Sequence, residues 1–276
     1  MTDNAKNQTI LITGASSGIG KATATHFQAQ GWNVIATMRS PDKETELNAL
    51  DNVLVIRLDV TDEASIGAAI TAGLERFGAI DALVNNAGYG AYGPLEAFSM
   101  DGIRRQFDTN VMGLLATTKM VLPHMRAAMS GTIVNISSIG GKMTFPLGAL
   151  YHGTKFAVEG ISEALHYELN AIGVRMKIVE PGMIKTDFGG RSFDFQNDES
   201  LEEYQSIVAA LMASFASVGD QASEPGVVAS VIWNAVTDGT NQLRYTAGDD
   251  AAELMANRKA LDDATFMAGI GKQFGL

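Results

Sequence analysis

Tyr151-His-Gly-Thr-Lys155, with Ser138 thirteen residues upstream, carries the residue types and spacing in this chain best suited to chemistry. Residues four apart on a helix share a face, so the Tyr151 phenol and the Lys155 ammonium would project side by side. A neighbouring positive charge favours the phenolate and lowers the phenol's pKa. At ~4 Å and an effective dielectric of about 20, the interaction is roughly 4 kcal/mol, or about three pKa units. The expectation is a phenol moved from about 10 toward about 7, able both to donate and to accept a proton. His152 would point about 100° away around the same helix and is read as structural.

A second constellation lies near the start of the chain. Gln8-Thr-Ile-Leu-Ile-Thr13 is a short apolar run of strand type. It leads into Gly14-Ala-Ser16-Ser17-Gly18-Ile19-Gly20 and then into a helical stretch. Strand, glycine turn and helix together let backbone N–H groups and a helix N-terminus receive a pyrophosphate. Glycine permits the tight turn and the close approach of backbone to ligand. In dinucleotide folds of this kind that prefer NAD, a carboxylate at the end of the second strand binds the adenosine ribose. Here Val34-Ile-Ala-Thr37-Met38-Arg39-Ser40 has none, and Arg39 offers a permanent charge and a planar donor fork suited to a phosphate. Thr37, Ser16 and Ser40 add hydroxyls. NADP(H) is therefore the expected cofactor, with NAD(H) as the alternative.

The elements that must position these residues alternate strand and helix, the pattern of a parallel sheet covered on both faces. Strands are expected at 8–13, 33–37, 53–58, 81–84, 131–136, 174–179 and 243–247. Helices are expected at about 18–30, 62–77, 99–128, 151–172, 201–217, 222–237 and 250–268. No composition break divides this alternation, so residues 1–276 read as one α/β, Rossmann-like doubly wound domain. A polar, Phe-containing substrate-loop insertion is expected at about 187–220, and its glycines suggest a lid.

Composition narrows the function. The chain has 276 residues, 46% of them hydrophobic, which suits one large α/β domain. It has no cysteine, which excludes disulfides and thiolate metal sites, and its four histidines lack metal-ligand spacing. The net charge of −11 argues against nucleic acid as a partner. The N-terminal residues lack a signal-peptide core, and no apolar run is long enough to span a bilayer. A cytoplasmic protein without membrane attachment is expected.

Six motifs in order resemble the short-chain dehydrogenase/reductase family, and the resemblance covers nearly the whole chain. Thr13-Gly14-x-x-x-Gly18-x-Gly20 is similar to the family's cofactor loop, and Asp59-Val60 to its adenine-contacting segment. Asn85-Asn86-Ala87-Gly88 matches the motif that supports the central sheet. Asn110, Ser138, Tyr151 and Lys155 match the catalytic tetrad, and Pro181-Gly182-x-x-x-Thr186 the segment that contacts the nicotinamide amide. One departure is Ser17, where many NADP-dependent relatives carry a basic residue.

The resemblance implies interconversion of a ketone or aldehyde with an alcohol by hydride transfer. Tyr151 would be the acid or base, and Lys155 would depress its pKa and hold the nicotinamide ribose. The Ser138 hydroxyl would bond the substrate oxygen where charge develops. Asn110, within the helix 99–128, would hold a water that relays protons through Lys155. The same resemblance implies a homodimer or homotetramer built on the helix 151–172, whose Gly153, Ala157 and Gly160 permit close packing, and on the helix ending near Arg126. Tyr89, Tyr92, Met143, Phe145, Leu147 and Met183, with the aromatic insertion, suit a mostly apolar pocket for a small carbonyl or alcohol, as in steroid-type and general ketone reductases. Two alternatives stay open. One is reduction of 3-oxoacyl chains on an acyl carrier protein, for which Arg104, Arg105 and Arg126 are the basic candidates. The other is a non-catalytic NADP-binding redox sensor.

Overall fold

The computed structural model describes residues 7–186, 192–218 and 222–276. β1 (Thr9–Ile12) has every side chain buried, as a strand covered on both faces must. It lies inside a seven-stranded, all-parallel sheet in the order β3 (Val53–Arg57), β2 (Asn33–Met38), β1, β4 (Ala82–Asn85), β6 (Gly131–Ile136), β7 (Val174–Pro181), β9 (Arg244–Ala247). Leu11 stands opposite Ile35 on one side and Leu83 on the other. The chain winds outward from β1 to β3, then crosses to β4 and winds the other way. A crevice therefore opens beyond the carboxyl ends of β1 and β4, where this class of sheet binds ligands.

One face of the sheet is covered by α1 (Gly18–Ala29) and α7 (Pro225–Thr237), which bury Phe27, Val228 and Ile232 against Val34 and Val84. Phe27 meets Trp32 and Trp233 edge-on, with ring centroids 5.2 and 5.0 Å away. The other face carries α2 (Glu63–Phe77), α4 (Gly113–Ala128) and α5 (Ala149–Asn170), whose Ile66, Ile70, Val121, Met125 and Leu169 pack on Leu11, Leu83 and Ile133. Burying each such side chain stabilises the fold by about 1.5–3 kcal/mol. Local chemistry sets the ends of α2. The Asp62 carboxylate accepts from the Ser65 N–H at 3.2 Å, and Gly78 closes the helix at φ 82°.

The structure differs from the sequence expectation in three places that shape the site. The helix expected over 99–128 is α3 (Met100–Phe107), one π turn over Asp108–Met112, and then α4; the Gly113 N–H donates to the Asp108 carbonyl. The helix expected over 250–268 is two, α8 (Asp249–Ala260) and α9 (Asp263–Gln273), because the Asp262 side chain caps the second by accepting from the Thr265 N–H at 2.8 Å. A second, two-stranded parallel sheet joins β5 (Gly90–Tyr92) to β8 (Phe193–Phe195). Within the expected insertion, residues 187–191 (Asp187, Phe188 and Arg191 among them) and 219–221 lie outside the described residues. The rest is β8 and α6 (Gln205–Val218), with Leu211 buried in the core beside Tyr151. Among the described residues no helix is long and apolar enough to cross a membrane.

Candidate active site

The glycine turn between β1 and α1 is a cradle held from beneath. Gly14 and Gly18 have φ of 70° and 53°, a region that L side chains rarely adopt. A Cβ on Gly20 would lie 2.3 Å from the Gly14 carbonyl oxygen, so only glycine lets the helix start so close to the strand. The Asn86 side-chain amide donates to the Thr13 and Gly14 carbonyls at 2.9 and 3.1 Å. The Thr13 hydroxyl accepts from the Asn86 and Ala87 N–H groups, both at 3.0 Å. The segment Asn85-Asn86-Ala87-Gly88 thus fixes the turn, while Asn85 itself ties to Thr118 and Asn135 across the sheet. Ser17 caps α1 by position only, with no side-chain hydrogen bond. The first N–H groups of α1 therefore keep their capacity for an anion, and the cradle fits a pyrophosphate.

The other expected cofactor residues surround this cradle. Ser16 is exposed, and Ile19 packs beneath the turn on the core. The Thr186 side chain lies across from Gly18, where an added Cβ would meet it at 3.1 Å. Pro181 ends β7, and Gly182 leaves room for the Asp250 carboxylate, which accepts from the Met183 N–H at 2.7 Å. Asp59 accepts from the Thr61 N–H and hydroxyl at 3.0 and 2.8 Å. Partial burial would raise its pKa, but those bonds and the charges of Arg39 and Arg57 bring it below the usual carboxylate value. Val60 is buried against Gly113 at the start of α4. Arg39 is exposed one residue past the end of β2.

Three of the four tetrad candidates converge. Ser138 follows β6 in extended conformation, and its Oγ accepts from the Gly140 N–H at 3.0 Å. The Ser138 hydroxyl shares a hydrogen bond with the Tyr151 phenol at the start of α5. Lys155, one turn along, donates to the Ile136 carbonyl at 2.8 Å and holds its Nζ 5.7 Å from the centre of the Tyr151 ring. Asn110 stands one step away. Its amide oxygen accepts from the Tyr89 N–H at 3.1 Å, and its nitrogen donates to the Tyr89 carbonyl and the Thr154 hydroxyl at 2.9 and 3.1 Å. Its side chain is therefore committed to the loop after β4 and to α5. Both hydrogens of that amide are thereby engaged. Asn110 sits in the π turn, where the helical hydrogen-bond ladder is interrupted.

The electrostatics also correct an expectation. Burial pushes the Tyr151 phenol up to about 12, against the lowering effect of its Ser138 bond. Burial lowers the Lys155 ammonium to about 8, against the charge of Glu159. Lys155 bonds a carbonyl and holds its Nζ over the ring, and desolvation of the phenol outweighs the charge effect that helical spacing alone suggested. His152 is structural, as read. Its Nε2 accepts from the Phe145 N–H and its Nδ1–H donates to the Gly140 carbonyl, both at 3.0 Å. Burial holds this imidazole neutral, with its pKa down at about 4.

Above Tyr151 lies an apolar roof. Tyr92 packs on the Tyr151 ring at a centroid distance of 5.5 Å, with Phe193 and Phe215 each 5.6 Å from Tyr92. Met143, Phe145 and Leu147 belong to this core cluster. Met183 is held through its backbone on Asp250, and Tyr89 accepts from Arg105 at the rim. Sequence reasoning missed the other half of the roof, Phe266 and Ile270 of α9, Phe274 just past its end, and Leu211 of α6. The spacing of four between Phe266, Ile270 and Phe274 was the available signal.

The short chain dehydrogenase family model matches residues 8–197. An uncharacterized oxidoreductase of Schizosaccharomyces pombe is 45% identical over 239 residues, which covers 87% of this chain and all of that protein. A short-chain dehydrogenase from Streptomyces avermitilis superposes with a TM-score of 0.82 at 33% identity, covering 94% of each chain. ElxO, solved with NADP bound, superposes with a TM-score of 0.74 at 29% identity, covering 90% of this chain and 99% of that one.

Proposed function

The chain belongs to the short-chain dehydrogenase family and is an oxidoreductase of the CH–OH/C=O type that uses a nicotinamide cofactor, and from that premise we propose that it reduces apolar ketones or aldehydes with NADPH. The observation that carries the proposal is the hydrogen-bonded Ser138–Tyr151 pair beneath a roof of aromatic side chains, with Lys155 one turn away.

Gly14, Ser16, Ser17, Gly18, Ile19 and Gly20 would hold the pyrophosphate, and Asp59, Val60, Asn86, Ala87 and Gly88 would line the adenosine side. Pro181, Gly182 and Thr186 would meet the nicotinamide amide, and Lys155 the adjoining ribose. When bound, the nicotinamide supplies the hydride. Tyr151 would deliver the phenolic proton to the carbonyl oxygen as negative charge grows there, with the Ser138 hydroxyl donating to the same oxygen. The high pKa of the buried phenol keeps it protonated, the state an acid requires. Lys155, kept as an ammonium, would stabilise the phenolate left behind. The roof would exclude water, which strengthens each of these interactions.

Arg39 would carry the preference for the phosphorylated cofactor, since it is exposed just past the end of β2 and Ser40 follows it in the chain. A homodimer or homotetramer would form on α3 and α5, where Phe107 and Phe156 are exposed and Gly160 leaves open space. The test is oxidation of NADPH and of NADH against ketones and aldehydes graded by size and polarity. Turnover should favour NADPH and rise with the apolar area of the substrate. Lack of turnover with every carbonyl, or a preference for small polar ones, contradicts the reading.

A further inference from the structure

The segment that follows β7 is held by residues from late in the chain. The Gly182 N–H donates to the Ala247 carbonyl at 3.0 Å, at the end of β9. The Ser223 N–H donates to the Met183 carbonyl and the Lys185 N–H to the Ser223 carbonyl, both at 2.9 Å. The Met183 N–H has a side chain for its partner. It donates to Asp250 Oδ2 at 2.7 Å, across 67 residues of chain.

The backbone around that carboxylate is shaped to admit it. A Cβ on Gly182 would lie 2.3 Å from Asp250 Oδ2 and 2.5 Å from Oδ1, and a Cβ on Gly248 would lie 2.6 Å from Oδ1. A side chain at either position would push the carboxylate away from the Met183 N–H. Asp250 stands in the first turn of α8, where the helix dipole favours a negative charge. The dipole alone asks nothing of residue 182, so it does not account for the close fit against Gly182.

Asp250 also adjoins the roof. Ala251 is fully buried in the core cluster that holds Ile139 and Tyr151, and Leu254 and Met255 pack against the same cluster. One side chain therefore fastens the segment after β7 to a helix of the roof.

We propose that Asp250 is a positioning residue for the nicotinamide half of the cofactor. The proposal rests on the placement of Pro181, Gly182 and Thr186 beside the nicotinamide amide given above. Met183 lies between Gly182 and Thr186, so the bond to its N–H fixes the path of that segment. An ionised acceptor makes this bond roughly twice as strong as a neutral one. The segment is then in place before the dinucleotide arrives, and less of the binding energy is spent in ordering it. The glycine cradle is held by Thr13 and Asn86 instead, so the adenosine half draws nothing from Asp250. In this scheme Asp250 touches neither substrate nor cofactor. It acts through the Met183 N–H.

The test measures, by isothermal titration calorimetry, the affinity of the parent, Asp250→Ala and Asp250→Asn for NADPH and for adenosine 2′,5′-bisphosphate, its adenosine half. NADH and AMP form a second such pair, so the comparison holds whichever dinucleotide the parent prefers. Asp250→Ala should weaken the whole dinucleotide about three- to tenfold and leave the half within about twofold of the parent. Asp250→Asn, whose amide oxygen can accept the Met183 bond, should recover most of that loss. Unchanged dinucleotide affinity in Asp250→Ala overturns the proposal. An equal loss for the dinucleotide and its half overturns it too, since that marks a general structural effect. So does an Asp250→Asn protein as weak as Asp250→Ala. Each of these results leaves the nicotinamide reading intact, whereas a parent that binds neither dinucleotide contradicts that reading itself.

Discussion

Lys155 donates to the carbonyl of Ile136 at 2.8 Å, joining the middle of the first turns of α5 to the end of β6. The ammonium also lies over the Tyr151 ring, 5.7 Å from its centre. The strand end that carries the Ile136 carbonyl also leads to Ser138, so one short segment positions all three groups. A shift of β6 relative to α5 would disturb acid, donor and cation together.

Arg39→Ala should weaken NADPH binding tenfold or more, the loss of about 1.5–3 kcal/mol for hydrogen bonds to a charged group. NADH affinity should change little, because that cofactor lacks the phosphate. Fluorescence titration of both cofactors checks this. Equal losses would remove Arg39 from the assignment.

Gly20→Ala should lose cofactor binding and destabilise the fold by roughly 1–3 kcal/mol, because the added methyl overlaps the Gly14 carbonyl oxygen at 2.3 Å and the Asn86 amide nitrogen at 2.6 Å. Thermal melting with and without NADPH reads both effects. Gly67→Ala, on α2 with open space around its Cβ position, is the control and should keep cofactor binding and leave the fold as stable or slightly more so.

His152 makes acid stability testable. Its folded pKa is depressed from 6.5 to about 4, so the folded state resists a proton that the unfolded chain accepts. The stability this provides is complete above about 6.5 and is lost as pH falls through about 4, with an upper limit of about 3 kcal/mol. His152→Gln should melt with a weaker dependence on pH across that window than the parent does. Parallel curves for the two proteins would mean that the imidazole is not the group that titrates.

The seven strands of the main sheet were legible because strands buried on both faces are short apolar runs set off by turns. The glycine cradle was legible because its positive φ values demand glycine. The π turn at Asp108–Met112 was not, since it adds one residue to a turn whose flanks both favour helix. β5 and β8 are three residues each, and only their mutual pairing makes them strands. The Tyr151 phenol was misjudged for a similar reason. Helical spacing places Lys155 near it, but how deeply both are buried depends on Tyr92, Phe215 and Phe266, which come from distant parts of the chain.

The central claim is that Tyr151 is the acid of a nicotinamide-dependent carbonyl reduction. The most direct measurement is single-turnover oxidation of bound NADPH by an apolar ketone in the parent and in Tyr151→Phe, with NADPH affinity measured on the same samples. Tyr151→Phe should slow the step by roughly 10²–10⁴-fold and leave NADPH affinity within about twofold of the parent, because only the proton donor is gone. A Tyr151→Phe protein that reduces the ketone at close to the parental rate would contradict the account.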